Sequence, residues 1–144
     1  MTEIRGDVPI GTAARRSGVK VPTIRYWEEI GLLGVSPRSE GNRRLYDAAA
    51  VRRLAFIRHA RELGFEVEAI RTLLDLQDNP GQPCSPADSI ARARLADVEA
   101  RIAQLEALKH ELRRMIEGCS HDTISHCRVI EVLTDHAECR HHVR

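Results

Sequence analysis

The sequence predicts a mainly α-helical fold, in which an N-terminal winged helix-turn-helix is followed by a long coiled-coil dimerisation helix and a short C-terminal loop. Aromatic residues make up only 3% of the 144 residues, so the core has to be built from Leu, Ile, Val and Ala. Apolar residues recur at helical spacing in several segments. One of these segments, 86–117, reads as a single helix that is long for so small a chain.

The stretch "PIGTAARRSGVKVPTIRYWEEIGLL" predicts two short helices around a tight turn. Thr12 or Gly11 is placed to cap the first helix, and Gly18 supplies the turn. Pro22 suits the first turn of the second helix, because N–H groups in that turn have no acceptor within the helix and proline lacks an N–H. Gly31 ends that helix. Two helices of this length around a glycine indicate a helix-turn-helix.

The next stretch, "GVSPRSEGNRRLYD", predicts a short two-stranded ribbon, which is the wing. Arg38 lies on one arm, and Arg43, Arg44 and Tyr46 lie on the other. Asp47 is expected to cap a third helix that stops at Gly64.

A fourth helix then runs to a firm break at "NPGQPCSP", which contains Cys84. We therefore assign residues 8–77 to a winged helix-turn-helix domain of the DNA-binding type, and residues 78–85 to a linker.

The segment 86–117 carries a heptad-like apolar seam with one irregularity at Lys109, where Leu108 offers a shifted position. A helix of this length spans about 48 Å and has nothing in its own chain to lie against. Dimerisation through a coiled coil is the expected solution. The seam consists of Leu95, Val98, Ile102, Leu105, Leu112 and Ile116.

The charge distribution points to a polyanionic partner at the N-terminal half. Residues 1–65 hold twelve Lys/Arg and seven Asp/Glu, a net charge of +5, although the whole chain carries only +1. Apolar runs are too short to span a membrane, and the N-terminus lacks an export pattern, so we expect a cytoplasmic protein. In that reducing compartment the four cysteines are expected to be thiols or metal ligands.

The segments "TIRYWEEIGLL", "RSEGNRRLYD" and "FIRHARELGF" together resemble the MerR family of transcriptional regulators, over residues 8 to about 134. Trp27 and the pair Asn42-Arg43 depart from the residues that are more frequent in the family. The resemblance implies a winged helix-turn-helix, two further helices, an antiparallel coiled-coil dimer helix and a C-terminal effector loop. It also implies a homodimer on palindromic promoter DNA that distorts the spacer for RNA polymerase.

On that basis the second helix should enter the major groove, with Arg25 as a main contact. The wing should grip the phosphate backbone. Ile24 and Trp27 are expected to belong to the core. The expected DNA-binding residues are Thr23, Arg25, Tyr26, Arg38, Arg43, Arg44 and Tyr46.

Cys119 and Cys127 stand eight positions apart beyond the long helix, with His121 between them, in a metal-binding loop and short helix at 118–134. Cys84 lies before that helix, so a straight helix separates it from the other two cysteines in one chain. In an antiparallel dimer, however, Cys84 of one subunit meets Cys119 and Cys127 of its partner. We therefore expect a shared metal site formed by Cys84, Cys119, His121 and Cys127.

Two thiolates alone suit Cu(I), and the Cys119–Cys127 spacing resembles the copper branch of the family. That branch has Ser at the position of Cys84, whereas a third thiol with an imidazole suits a divalent ion. The order of expectation is Zn(II), then Cd(II), Pb(II) or Hg(II), then Cu(I). Cys139, His141 and His142 of the 135–144 tail are candidates for a second ion.

The expected function is a metal-responsive activator of efflux or resistance genes. No phosphate-binding loop or catalytic triad pattern is present in the sequence, so an enzyme is not expected. The alternatives from other classes are a thiol-redox regulator of the same fold and a metal-storage protein, against which the DNA-binding half argues.

Overall fold

The computed structural model describes residues 7–34, 38, 41, 43–118 and 123–135. Across these ranges, no helix combines the length and apolarity needed to cross a bilayer. The chain divides into two compact units, one up to Ile90 and one from Ala91. The elements are, in order, β1 (Val8–Pro9), α1 (Ile10–Ser17), α2 (Val21–Glu29), β2 (Leu45–Tyr46), α3 (Ala48–Glu62), α4 (Val67–Gln77), α5 (Ser85–Glu117), a single 3-10 turn (Ile124–His126) and α6 (Arg128–Thr134).

Helices α1 and α2 form the helix-turn-helix that the sequence predicts. Gly18 ends α1 in the left-handed conformation with φ 77° and returns its N–H to the Ala14 carbonyl at 2.9 Å. Pro22 lies in the first turn of α2, as expected. The expected capping of α1 by Thr12 or Gly11 is wrong, because the helix already begins at Ile10 and both residues lie inside it.

The short sheet is formed by a strand that the sequence did not reveal. Val8 pairs with Tyr46 and Pro9 with Leu45, so β2 lies antiparallel to the residues just before α1. Arg38 and Arg44 form a separate antiparallel bridge between the two arms of the wing. The wing therefore has the expected arms, and its second arm is also tied to the start of the helix-turn-helix.

The end of α2 is held by two arginines from later helices. Arg53 of α3 donates from Nε to the Leu32 carbonyl at 3.1 Å, and Arg71 of α4 donates from Nη2 to the Ile30 carbonyl at 2.6 Å. Carbonyls at a helix C-terminus lack partners within the helix, and the helix dipole favours cations there. Arg53 also pairs with Asp78, just after α4, at 3.2 Å. These contacts fix the end of α2 against α3 and α4.

One apolar core holds the first unit together, and it joins all of its helices from α1 to α4. Asp47 caps α3 as predicted, accepting a hydrogen bond from the Ala50 N–H at 2.8 Å. Ile24 and Trp27 are buried, in agreement with their expected place in the core. The fully buried large side chains are Tyr46, Ile24, Leu32, Leu54, Ile57, Ile70 and Leu74.

The second unit consists of the remainder of α5, the 3-10 turn and α6. Glu111, Met115 and Val132 are its buried residues within the described ranges. Arg114 pairs with Glu111 at 2.5 Å. At the end of α5, a Cβ on Gly118 would lie 3.0 Å from Cγ of Arg128, so the small residue allows this side chain of α6 to approach the turn.

Candidate functional site

The outward face of α2 carries the side chains expected to reach DNA. Arg25 and Tyr26 are exposed and Thr23 is half-buried, whereas Ile24 and Trp27 point into the core. Because a helix repeats every 3.6 residues, the burial of Ile24 and Trp27 directs their neighbours to solvent. A helix with this face outward has the width that the major groove of B-DNA admits.

The wing lies beside the part of α2 that carries Arg25. Arg25 of α2 and Arg43 and Arg44 of the wing all line one open hollow of about 890 Å³, together with Arg15 of α1. Arg38 and Arg43 are exposed, and the Arg44 side chain is 40% exposed. Four guanidinium groups outnumber the two carboxylates that line this concave surface, so its net positive charge attracts phosphate.

Tyr46 is not placed as the sequence suggested. It is only 1% exposed, and its hydroxyl donates to Oε2 of Glu28 at 2.5 Å. Burial and the adjacent Glu28 carboxylate raise the pKa of Tyr46 above its ordinary value, so the side chain remains a neutral hydrogen-bond donor. The structure therefore contradicts the expected contact of Tyr46 with the DNA backbone, because the side chain is buried and its hydroxyl donates to Glu28.

Glu28 is a residue of this surface that the sequence analysis does not identify as functional. Its side chain is only 7% exposed and accepts from both Tyr46 and the Arg44 guanidinium, the latter at 3.0 Å. A signal existed, since Glu28 follows the core residue Ile24 by four positions and so shares its face of α2. Its two partners lie 16 and 18 positions further along the chain, and local spacing does not reveal them.

Cys84 occupies the beginning of α5. It is exposed, and its carbonyl accepts from the Asp88 N–H at 3.1 Å, the first hydrogen bond of the helix. The thiol therefore stands at a helix N-terminus, open to a ligand or to another chain. As the sequence predicts, Cys84 comes directly before a long helix, since α5 begins at Ser85 and ends at Glu117.

Cys127 occupies the corresponding position at α6. It is the N-cap residue of that helix and is half-buried, and its carbonyl accepts from the Glu131 N–H at 3.0 Å. His126 precedes it on the 3-10 turn, exposed, with Nδ1 3.3 Å from Oγ1 of Thr123. Two sulfur donors therefore stand at the first turns of two successive helices.

The other expected metal ligands lie outside the described residues. These are Cys119 and His121 of the loop, and Cys139, His141 and His142 of the tail. Among the residues that the structure does describe, no three His, Cys, Asp or Glu side chains are grouped closely enough to hold an ion. The donors that are described, Cys84 and Cys127, are soft sulfur ligands of the kind that Zn(II) and heavier divalent ions accept.

Comparisons with known proteins agree on one family across most of the chain. The model for "MerR HTH family regulatory protein" matches residues 8–77. A second model, "MerR, DNA binding", matches residues 51–115. The HTH-type transcriptional regulator ZntR of Escherichia coli K12 is 39% identical over 128 residues, which cover 86% of this chain and 90% of ZntR.

Two solved structures of metal complexes are similar to this chain. The regulator PbrR691 of Ralstonia metallidurans CH34, in complex with lead(II), is 35% identical with a TM-score of 0.76, covering 88% of this chain and 98% of that one. MerR of Bacillus megaterium MB1, in complex with the mercury(II) ion, is 30% identical with a TM-score of 0.64, covering 85% of this chain and 95% of that one.

Proposed function

This chain belongs to the MerR family of helix-turn-helix regulatory proteins, and from that membership we propose that it is a metal-responsive regulator of transcription. It binds promoter DNA in the cytoplasm as a homodimer. A divalent metal ion selects the conformation that distorts the promoter and favours RNA polymerase, and so induces an efflux or resistance gene. Selection requires that the ion bind that conformation more tightly than the other.

The exposed basic surface of the first unit supports the DNA-binding part of the proposal. Arg25 on α2 and Arg43 on the wing project from separate elements into one hollow. We assign base or phosphate contacts to Thr23, Arg25 and Tyr26, and backbone contacts to Arg38 and Arg43. The expected backbone contact of Arg44 is not proposed, because its guanidinium pairs with Glu28. Replacing Arg25 by Ala is expected to abolish recognition of the operator, which an electrophoretic mobility shift would measure.

The apolar stripe of α5 supports the dimer. Leu95, Ile102 and Leu105 are each more than half exposed in the single chain, and Leu112 and Ile116 continue the stripe with 57% and 59% exposure. Large apolar side chains in a continuous row mark a surface that another helix covers. In an antiparallel pair, the beginning of one α5 meets the end of the other.

The dimer is tested by placing a charge in the stripe. Leu105→Lys is expected to shift the protein to monomer in sedimentation equilibrium, because a buried unpaired ammonium is strongly unfavourable. Ala107→Lys is the matched control, since Ala107 is also exposed but faces away from the stripe. A Leu105→Lys protein that remains as dimeric as the Ala107→Lys protein would refute the α5 interface.

The single observation that carries the metal part is the position of Cys84, an exposed thiol at the start of the helix that joins the two units. The ion would be held by Cys84 of one subunit with Cys119, Cys127 and His121 of its partner. Three thiolates and an imidazole form a tetrahedral set that suits Zn(II) first, with Cd(II) or Pb(II) second. The similarity to ZntR and to the lead(II) complex of PbrR691 supports a divalent ion at this site.

The experiment is an induction panel of Zn, Cd, Pb, Hg, Cu and Co salts against a reporter behind the protein's own promoter. Zn(II) is expected to give the strongest induction, and Cys84→Ser to abolish it. Ser85→Ala is the control, because it changes the exposed residue next to Cys84 and leaves every thiol in place. Full induction of the Cys84→Ser protein would refute the shared site, and induction by diamide as strong as that by metal would favour a thiol-redox regulator.

A further inference from the structure

The carboxylate of Glu28 lies within the surface that we assign to DNA, where an unpaired negative charge would repel phosphate. The Glu28 side chain is only 7% exposed. Oε2 accepts the Tyr46 hydroxyl at 2.5 Å and lies 3.0 Å from Nη1 of Arg44. One carboxylate therefore joins α2 to two side chains of the second arm of the wing, Arg44 and Tyr46.

We propose that Glu28 is a positioning residue for DNA recognition, which fixes the wing against α2 and withholds the Arg44 guanidinium from unspecific contact with phosphate. This inference rests on the proposed DNA-binding function and adds a residue and a role to it. Glu28, Tyr46 and Arg44 are called the α2–wing clamp below.

The geometry has two consequences for binding. The clamp ties α2 to β2, and β2 in turn pairs with β1 immediately before α1, so the base-reading helix and the wing keep one spacing. Contacts from both elements then fit the duplex together when the sequence and groove shape are right. The Glu28 carboxylate largely neutralises the charge of Arg44, so Arg44 adds little to the sequence-independent attraction between the protein and DNA phosphates.

Removal of the Glu28 charge should therefore change specificity and salt dependence together. In Glu28→Gln, the amide oxygen still accepts from Tyr46, but the ion pair with Arg44 is gone. The freed guanidinium can neutralise one further phosphate, which steepens the slope of log affinity against log salt by about 0.9. Affinity for random DNA should rise several-fold, while the ratio of operator to random affinity falls.

Glu29 supplies the matched control. It is adjacent on α2 and lines the same hollow, but it is exposed. Glu29→Gln removes the same charge from the same region without opening the clamp. It is expected to strengthen binding to operator and random duplexes equally, and so to leave their ratio unchanged.

The experiment uses the full-length dimer and two duplexes of equal length, one selected from a random library with the wild-type protein and one with the same bases shuffled. Fluorescence anisotropy measures both affinities over a series of salt concentrations. Thermal unfolding of each variant checks the fold. The double variant Glu28→Gln/Arg44→Gln should return the salt slope to the wild-type value, because the freed cation is no longer present.

Arg44→Gln alone tests the inference even if Glu28→Gln does not fold. We expect it to leave the salt slope within a few tenths of the wild-type value, whereas loss of a cation that neutralises one phosphate reduces the magnitude of the slope by about 0.9. A reduction of about 0.9 in Arg44→Gln would overturn the inference, as would a Glu28→Gln protein that behaves like Glu29→Gln. Wild-type protein without salt-dependent binding to either duplex would instead refute the proposed function.

Discussion

The hydrogen bond from Arg53 to the Leu32 carbonyl offers a quantitative test of how the end of α2 is held. Leu32 is only 2% exposed, so its carbonyl has no ready access to water if the donor is lost. Arg53→Met removes the guanidinium and keeps most of the aliphatic stem. A buried acceptor without a partner costs about 1–3 kcal/mol.

The ion pair of the same arginine adds less. Asp78 is 55% exposed and lies 3.2 Å from Nη1, and exposed pairs of this type contribute about 0–1 kcal/mol. We therefore expect Arg53→Met to lower the free energy of unfolding by about 2 kcal/mol in total. Asp78→Asn alone should lower it by about 0.5 kcal/mol, and high salt should remove most of that smaller difference.

Arg58 is the matched control, since it lies on the same helix and pairs with Glu62 at 3.2 Å, with both side chains about half exposed. Arg58→Met is expected to change stability by less than about 0.5 kcal/mol. Urea unfolding measures all three variants at one protein concentration, because the stability of a dimer depends on concentration. An Arg53→Met variant that loses no more stability than Arg58→Met would refute the role of the buried hydrogen bond. An Asp78→Asn variant that loses as much stability as Arg53→Met would refute it as well.

Two further predictions concern single side chains of the first unit. The folded pKa of Tyr46 lies above the ordinary value of 10.0, so the stability from its neutral form is fully present below about pH 10 and is lost as the pH rises further. Urea unfolding between about pH 9 and 11 should show a shallower decline for Tyr46→Phe than for wild type, whereas the exposed Tyr26→Phe control should follow wild type; equal slopes for both variants would contradict the assignment. Gly18→Ala should cost about 1 kcal/mol because φ is 77°. A Cβ at position 18 would lie 3.0 Å from Nη1 of Arg58, an atom at the movable end of a side chain. The stability losses of Gly18→Ala and Arg58→Ala should therefore add in the double variant. A double variant more stable than Gly18→Ala alone would show that crowding, and not φ, is the cause.

The candidate sites were predictable to different degrees. The face of α2 was expected from the family resemblance, and the structure places Arg25 and Tyr26 outward and Ile24 and Trp27 inward. Tyr46 was misassigned because its neighbours in the sequence are arginines of the wing, whereas its hydroxyl meets a carboxylate on α2. The shared metal set remains a prediction, since it needs a second subunit as well as residues outside the described ranges.

Elements that depend on local chemistry were determined by the sequence itself. Asp47 caps α3 because its side chain reaches an N–H three residues away, and Gly18 ends α1 because the left-handed turn strains any residue with a Cβ. The long α5 was visible because no helix breaker interrupts it between 86 and 117, and it runs from Ser85 to Glu117. Each of these features requires only groups within a few residues of one another.

Only the tertiary structure decided which distant groups meet. The donors at the end of α2, Arg53 and Arg71, come from 21 and 41 residues beyond the carbonyls that they satisfy. The hydrogen bond from Tyr46 to Glu28 joins residues that are 18 positions apart. Strand β2 pairs with β1, a two-residue strand that is too short to show an alternating sequence pattern. Such pairs form because burial of the common core leaves their polar groups without water, so that each must be satisfied by whichever partner the packing brings within reach.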